Sequence, residues 1–143
     1  MPNHCHNRVT FYSDDKPELI QKLYKIFKSE EVFTQFVPEP DWATTPNEAG
    51  ELSAKDPSEP MFPPKFPDGT VDDRWYNWRV YNWGTKWDCY DLSIDQDEQE
   101  LNLEFNTAWS PPEEICHALK EKYEDASIQW FYDEPGMEVA GYL

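Results

Sequence analysis

Basic side chains are scarce in this sequence: 12 Lys and Arg stand against 29 Asp and Glu, a formal charge of −17 over 143 residues. A surface of that sign repels phosphate, which argues against direct nucleic-acid binding and against docking on an anionic membrane. Histidine is sparse too, with only His4, His6 and His117, so a Ser or Cys nucleophile has few bases to draw on. His117 directly follows Cys116, and helix neighbours at i and i+1 point apart, so no dyad is visible. No apolar run approaches the roughly 18 residues of a membrane span, and nothing after Met1-Pro2-Asn3-His4-Cys5-His6 resembles the apolar core of a signal peptide. Cys5, Cys89 and Cys116 are odd in number and lack a CxxC spacing, the usage of reduced thiols in a cytosol rather than of a secreted disulfide framework. The expected location is therefore cytoplasmic.

Branched aliphatics are also few. Leu, Ile, Val and Phe together make up 27 residues, about 19% of the chain and just inside the composition of disordered segments. Seven Trp and eight Tyr offset this, because each buries on the order of 150–250 Å² when enclosed. The expectation is one folded domain spanning 1–143 with an aromatic core.

Periodicity supplies the elements. Val9 and Phe11 share a face of a first strand over 7–12; Leu19, Ile20, Leu23, Ile26 and Phe27 mark a helix after Pro17, with Asp14 or Asp15 as cap. Val32 to Val37 reads as a second strand, stopped by Pro38-Glu39-Pro40. The Pro-rich stretch 38–74 reads as a long insertion, pinned by Trp42, Met61, Phe62 and Phe66. Between Arg74 and Tyr90, seven rings fall in 17 positions; Trp75, Trp78 and Arg79 have helical spacing, so a short helix to about Tyr81 would lay its rings on the sheet. From Trp87 to Asp95, Asp88, Tyr90, Leu92 and Ile94 alternate with Trp87, Cys89, Asp91 and Ser93. Leu101, Leu103, Phe105, Thr107 and Trp109 repeat the period across an acidic turn, an antiparallel hairpin. Ser110-Pro111-Pro112-Glu113 has the capping-box arrangement ahead of a helix carrying Ile115, Leu119 and Tyr123, and two further strands close the chain around Glu134-Pro135-Gly136. The order β-α-β-insertion-β-β-α-β-β makes an α+β ferredoxin-like sandwich, two helices on one face of an antiparallel sheet.

Several strings also carry a resemblance. Met1-Pro2-Asn3 with Asn7, then Asn82-Trp83-Gly84-Thr85-Lys86-Trp87-Asp88, Thr107-Ala108-Trp109-Ser110-Pro111-Pro112, Tyr132-Asp133-Glu134-Pro135-Gly136 and Ala140-Gly141 are similar to the YubB-type ferredoxin-like domain family. The resemblance spans nearly the whole chain and implies a ferredoxin-like fold and an origin on a phage, plasmid or other mobile element, hence action in a host cytoplasm. It brings no reaction and no catalytic residues.

Two functions from different classes remain. The first is a non-enzymatic module that binds a basic protein through an acidic surface, and in its sharper form mimics nucleic acid to occupy a host protein's basic site. From Lys86 to Lys120 there are nine acids and no Lys or Arg between, and Asp91, Asp95, Asp97, Glu98, Glu100 and Glu104 form the candidate surface. Acids on a hairpin also serve simply as solvated polar faces that discourage edge pairing. The second is a small-molecule binder or enzyme with a pocket of Asn82, Trp83, Lys86, Trp87 and Trp109, in which Lys86 stacks on an indole or meets an anionic ligand. Against it, these indoles can equally replace absent aliphatics in the core. Stacked bases, as on RNA-binding sheets, are excluded by the charge. His4 and His6 project to one side of an extended segment but fall short of the three or four ligands of a closed metal site, so no metal and no cofactor is expected. A general base at the Pro2 amine would require removal of Met1.

Overall fold

The computed structural model describes residues 3–143. Strands β1 (His4–Tyr12), β2 (Tyr90–Gln96), β3 (Glu100–Ala108), β4 (Ser127–Glu134) and β5 (Val139–Tyr142) form one sheet in the order β2-β3-β1-β4-β5, and every pairing is antiparallel. The helices are α1 (Pro17–Phe27), α2 (Phe33–Phe36), α3 (Arg74–Trp83) and α4 (Glu113–Lys122). This is the ferredoxin-like α+β sandwich, with β5 added beside β4.

The core lies between the sheet and the helical layer. Val9, Phe11, Leu101, Leu103, Phe105 and Trp130 point from the strands toward Ile20, Leu23 and Phe27 of α1 and Ile115, Cys116 and Leu119 of α4. Rings do join it as aliphatic substitutes: Phe105 stacks on Phe27 at 6.2 Å and meets Trp130 edge-on at 5.8 Å. Polar groups are built into it as well, Asn7 and Thr107 among them. Asn7 is 1% exposed; its amide donates to Thr107 Oγ1 at 3.0 Å and accepts from Trp130 Nε1 at 3.0 Å, so the buried dipole is paired on both sides.

The second strand expected over 32–37 is instead α2. Asp88, two residues before β2, accepts the backbone N–H of Val32 at 2.8 Å and of Phe33 at 3.2 Å. With its first amides held from outside, the segment turns, and spacing of three sets Phe33 against Trp83 and Phe105 and Phe36 against Phe27. Long-range anchoring overrides the β-branched local sequence.

Three local expectations also change. Ser13 rather than Asp14 or Asp15 receives the Lys16 N–H ahead of α1. The Ser110 hydroxyl donates to Gly84 O at 2.6 Å rather than capping α4, which makes no side-chain cap. Helix α3 packs beside α4 rather than on the sheet; only its last residue, Trp83, is buried.

The insertion is held at its root. Met61 and Phe62 are 95% and 56% exposed and pin nothing. Trp42 and Phe66 flank the Arg74 guanidinium at 5.0 and 5.1 Å, and Arg74 in turn pairs with buried Asp72, which accepts a 2.6 Å hydrogen bond from Ser53.

Candidate functional site

The NWGTKWD string lies where α3, α4 and the end of β3 meet, and the structure shows what each residue does there. Asn82 donates to Trp78 O at 2.9 Å. Trp83 is 3% exposed and its indole N–H is held by Val37 O at 2.9 Å, so this candidate ligand contact is a core residue. Gly84 takes φ 89, and a Cβ there would stand 2.7 Å from Glu113 N, so only glycine lets α3 end against the start of α4. Thr85 donates to Ala108 O at 2.9 Å, and Asp88 anchors α2.

Lys86 and Trp109 do line an open cleft of about 230 Å³ with Tyr76, Val80, Thr85 and Ser110. Lys86 Nζ lies 4.5 Å from the Trp87 ring centre and 5.8 Å from that of Tyr76. Trp109, 45% exposed, has the left-handed φ of 68, held by its N–H to Asn3 O at 2.9 Å. The five candidates thus divide: Lys86, Trp87 and Trp109 reach solvent, Asn82 bonds its own helix, and Trp83 is enclosed.

The acidic candidates are drawn together more completely. The helices leave the other sheet face uncovered, and Asp91, Asp95, Glu100 and Glu104 stand on it, with Asp97 and Glu98 at the hairpin tip. Asp133 of β4 joins them across β1. Among the described residues Arg8 is the one strand Lys or Arg on this face, 3.1 Å from Glu104. A bulge at Asp91, φ 54, turns Tyr90 outward to His4 rather than inward with Leu92 and Ile94, while Cys89 packs inward. Next to it, a groove of about 370 Å³ is lined by His6, Arg8, Asp91, Glu104 and Asn106.

His4 bonds Tyr90 and His6 bonds Asn106 Oδ1 at 2.5 Å, so both imidazoles have partners; among the described residues no group of three or more His, Cys, Asp or Glu is placed to hold a metal. The cysteines are free. Burial pushes the Cys5 thiol up to about 11, and burial next to Asp88 pushes Cys89 higher still, which keeps both protonated and poorly nucleophilic at neutral pH. The Pro2 amine lies outside the described residues. Among the described residues no helix is long and apolar enough to cross a membrane.

Arg79, read from the sequence only as a helix position, has a role there that the sequence left unassigned: its guanidinium lies between the Trp75 and Trp83 rings, 5.1 Å from each, and pairs with Glu39 of the insertion at 2.7 Å. Its spacing to Trp75 and Trp83, four residues each way, was the available signal.

Residues 84–143 match the family model described as the ferredoxin-like domain in Api92-like protein. A crystal structure of a protein api92 from Yersinia pseudotuberculosis is similar, with a TM-score of 0.58 and 12% sequence identity over 99% of this chain and 93% of that one. At that identity the likeness concerns the fold. No curated protein matches the chain. The matched segment runs from the Gly84 turn through β2, β3, α4, β4 and β5, and so includes most of the acidic sheet face.

Proposed function

We propose that the chain is a non-enzymatic protein-binding module that presents the uncovered, acidic face of its sheet to a basic protein. The observation that carries this is the segregation of charge: Asp91, Asp95, Glu100, Glu104 and Asp133 share one helix-free face with Arg8 as its lone strand Lys or Arg among the described residues. A field of one sign over a broad surface speeds encounter with an oppositely charged partner and rejects like-charged ones. The sharper form is occupation of a basic nucleic-acid site by mimicry. The YubB-type resemblance, with its mobile-element origin and host cytoplasm, belongs to the same reading and is supported by the NWGTKWD string.

A small-molecule site at Lys86 is less favoured. The cleft of about 230 Å³ falls below the roughly 300–1,000 Å³ of ordinary ligand pockets, and Trp83 offers it nothing. Thermal shift with a metabolite library, comparing the natural chain with Lys86→Ala, checks this. Stabilisation of the natural chain alone by one ligand would revive the pocket.

The main test immobilises the natural chain and a triple variant, Asp91→Lys with Asp95→Lys and Glu104→Lys, and passes host lysate over both at low and moderate salt. The reading expects a basic protein that the natural chain retains at low salt, that elutes as salt rises, and that the variant fails to hold. Retention indifferent to salt or to the substitutions would refute it.

A further inference from the structure

Helix α3 poses a question the sheet face does not answer. Of its ten residues, RWYNWRVYNW, six are apolar or aromatic, distributed around the helix, yet only Trp83 is buried. Val80 is 44% and Tyr81 81% exposed. A helix with apolar groups on every side is the pattern of one surrounded by other elements; here α4 meets one side and the insertion another, Trp42 edge-on to Trp78 at 6.3 Å and Glu39 on Arg79, which leaves Val80 and Tyr81 open. The uncovered side opens on a groove of about 1180 Å³ between α3 and α4.

The groove has two kinds of wall. Trp78, Val80 and Tyr81 on α3 supply apolar surface, with Val37 and Ala118 alongside; Glu114 and Glu121 of α4 supply carboxylates on the opposite rim. Among the described residues no Lys or Arg lines it. The nearby cations are engaged elsewhere: Lys120 donates to Leu143 O and Lys122 lies over Tyr123. His117 on the same rim sits 4.0 Å from Glu114. Each flanking helix has ten residues, about 15 Å of length, which matches a guest of about three helical turns.

We infer that the α3–α4 groove is the docking site for a basic amphipathic helix of a partner protein, with apolar side chains at i, i+3, i+4 and i+7 set against Trp78, Val80 and Tyr81 and lysines or arginines facing Glu114 and Glu121. Apolar anchors inside and charge at the rim is the recurring form of helix-in-groove recognition. A second copy of this chain is the poorer occupant, since each copy carries −17 and like charges oppose the pairing. The site lies on the helical side of the molecule, away from the acidic sheet face, and stands or falls independently of it.

The test uses a fluorescein-labelled synthetic helix of about three turns, leucine at the anchor positions and lysine elsewhere, with a counterpart carrying glutamate for lysine. Binding to the full chain is followed by fluorescence anisotropy. The lysine peptide binds saturably and the glutamate peptide does not. Tyr81→Ala, at a solvent-exposed position, weakens binding by about tenfold. Glu114→Gln with Glu121→Gln also weakens it, whereas Asp91→Asn with Asp95→Asn, the same change in net charge on the sheet face, leaves it unchanged. Equal weakening by the two neutralised pairs would show general charge attraction and overturn the inference, as would absence of saturable binding or indifference to Tyr81→Ala. Sedimentation of the chain as a dimer that Tyr81→Ala dissolves would assign the groove to a second copy and overturn it as well. Circular dichroism of each variant confirms that folding is intact.

Discussion

Asp72 connects a local charge to the order of a long loop. Its carboxylate is almost fully enclosed, takes two hydrogen bonds at 2.8 Å from the Arg74 guanidinium and one at 2.6 Å from Ser53, and is held at about 2, below its ordinary 3.8, chiefly by Arg74 against the opposing effect of burial. A folded-state value below the unfolded one means the charge stabilises above about 4 and ceases to do so as pH falls through about 2. At 1.36 kcal/mol per unit the contribution is about 2 kcal/mol. Asp72→Asn should therefore lower the urea-unfolding free energy at pH 7 by about that amount, and the gap between variant and natural chain should close as pH drops from about 4 to about 2. A gap that persists at the acid end would refute the assignment. Limited proteolysis adds a second readout, because Arg74 also donates to Trp42 O and Pro46 O: the variant should be cut faster within 38–74. That Trp42 and Phe66 pack was legible from their type. That Met61 and Phe62 do not was hidden, because the ring that meets a guanidinium is decided by long-range closure of the loop.

Elements with strong internal periodicity were readable, and those fixed from outside were not. The β2–β3 hairpin and the apolar stripes of α1 and α4 follow alternation and helical spacing directly. Helix α2 has four residues, too few to be stable by propensity, so its conformation is set by the Asp88 carboxylate 55 and 56 residues away. The NWGTKWD string was conspicuous as chemistry and proves to be a joint, because a string names residue types and says nothing of which carbonyls they reach. If Asp88 is what turns this segment, Asp88→Ala should cost about 1–2 kcal/mol, the usual loss of a helix cap. In native-state hydrogen exchange the amides of Val32 and Phe33 should exchange markedly faster while those of β1 and β3 keep the protection of the global fold. Unchanged exchange at Val32 and Phe33 would show that packing of Phe33 alone shapes α2.

At the scale of the whole molecule the charge is the least balanced feature. Of 29 acidic residues, only Glu104, Asp125, Asp72 and Glu39 pair with Lys or Arg among the described residues, and the Arg8 and Lys16 pairs are exposed and worth little. The rest repel one another across a surface that folding makes compact. The architecture was legible because strand alternation and helix spacing survive any surface charge, whereas the gathering of Asp91, Asp95, Glu100, Glu104 and Asp133 on one face depends on strand order, which places β4 beside β1. Self-repulsion of this kind is screened by ions, the screening length falling from about 30 Å at 0.01 M to about 3 Å at 1 M. Thermal stability should therefore rise with sodium chloride, by about 5 °C over that range if about 2 kcal/mol of repulsion is relieved. The rise should shrink in the triple variant Asp91→Lys, Asp95→Lys, Glu104→Lys, whose sheet face no longer opposes folding with a single sign. A melting temperature indifferent to salt would mean that the acids lie far enough apart to leave the fold unburdened, and would weaken the case that their common face generates a field a basic partner can sense.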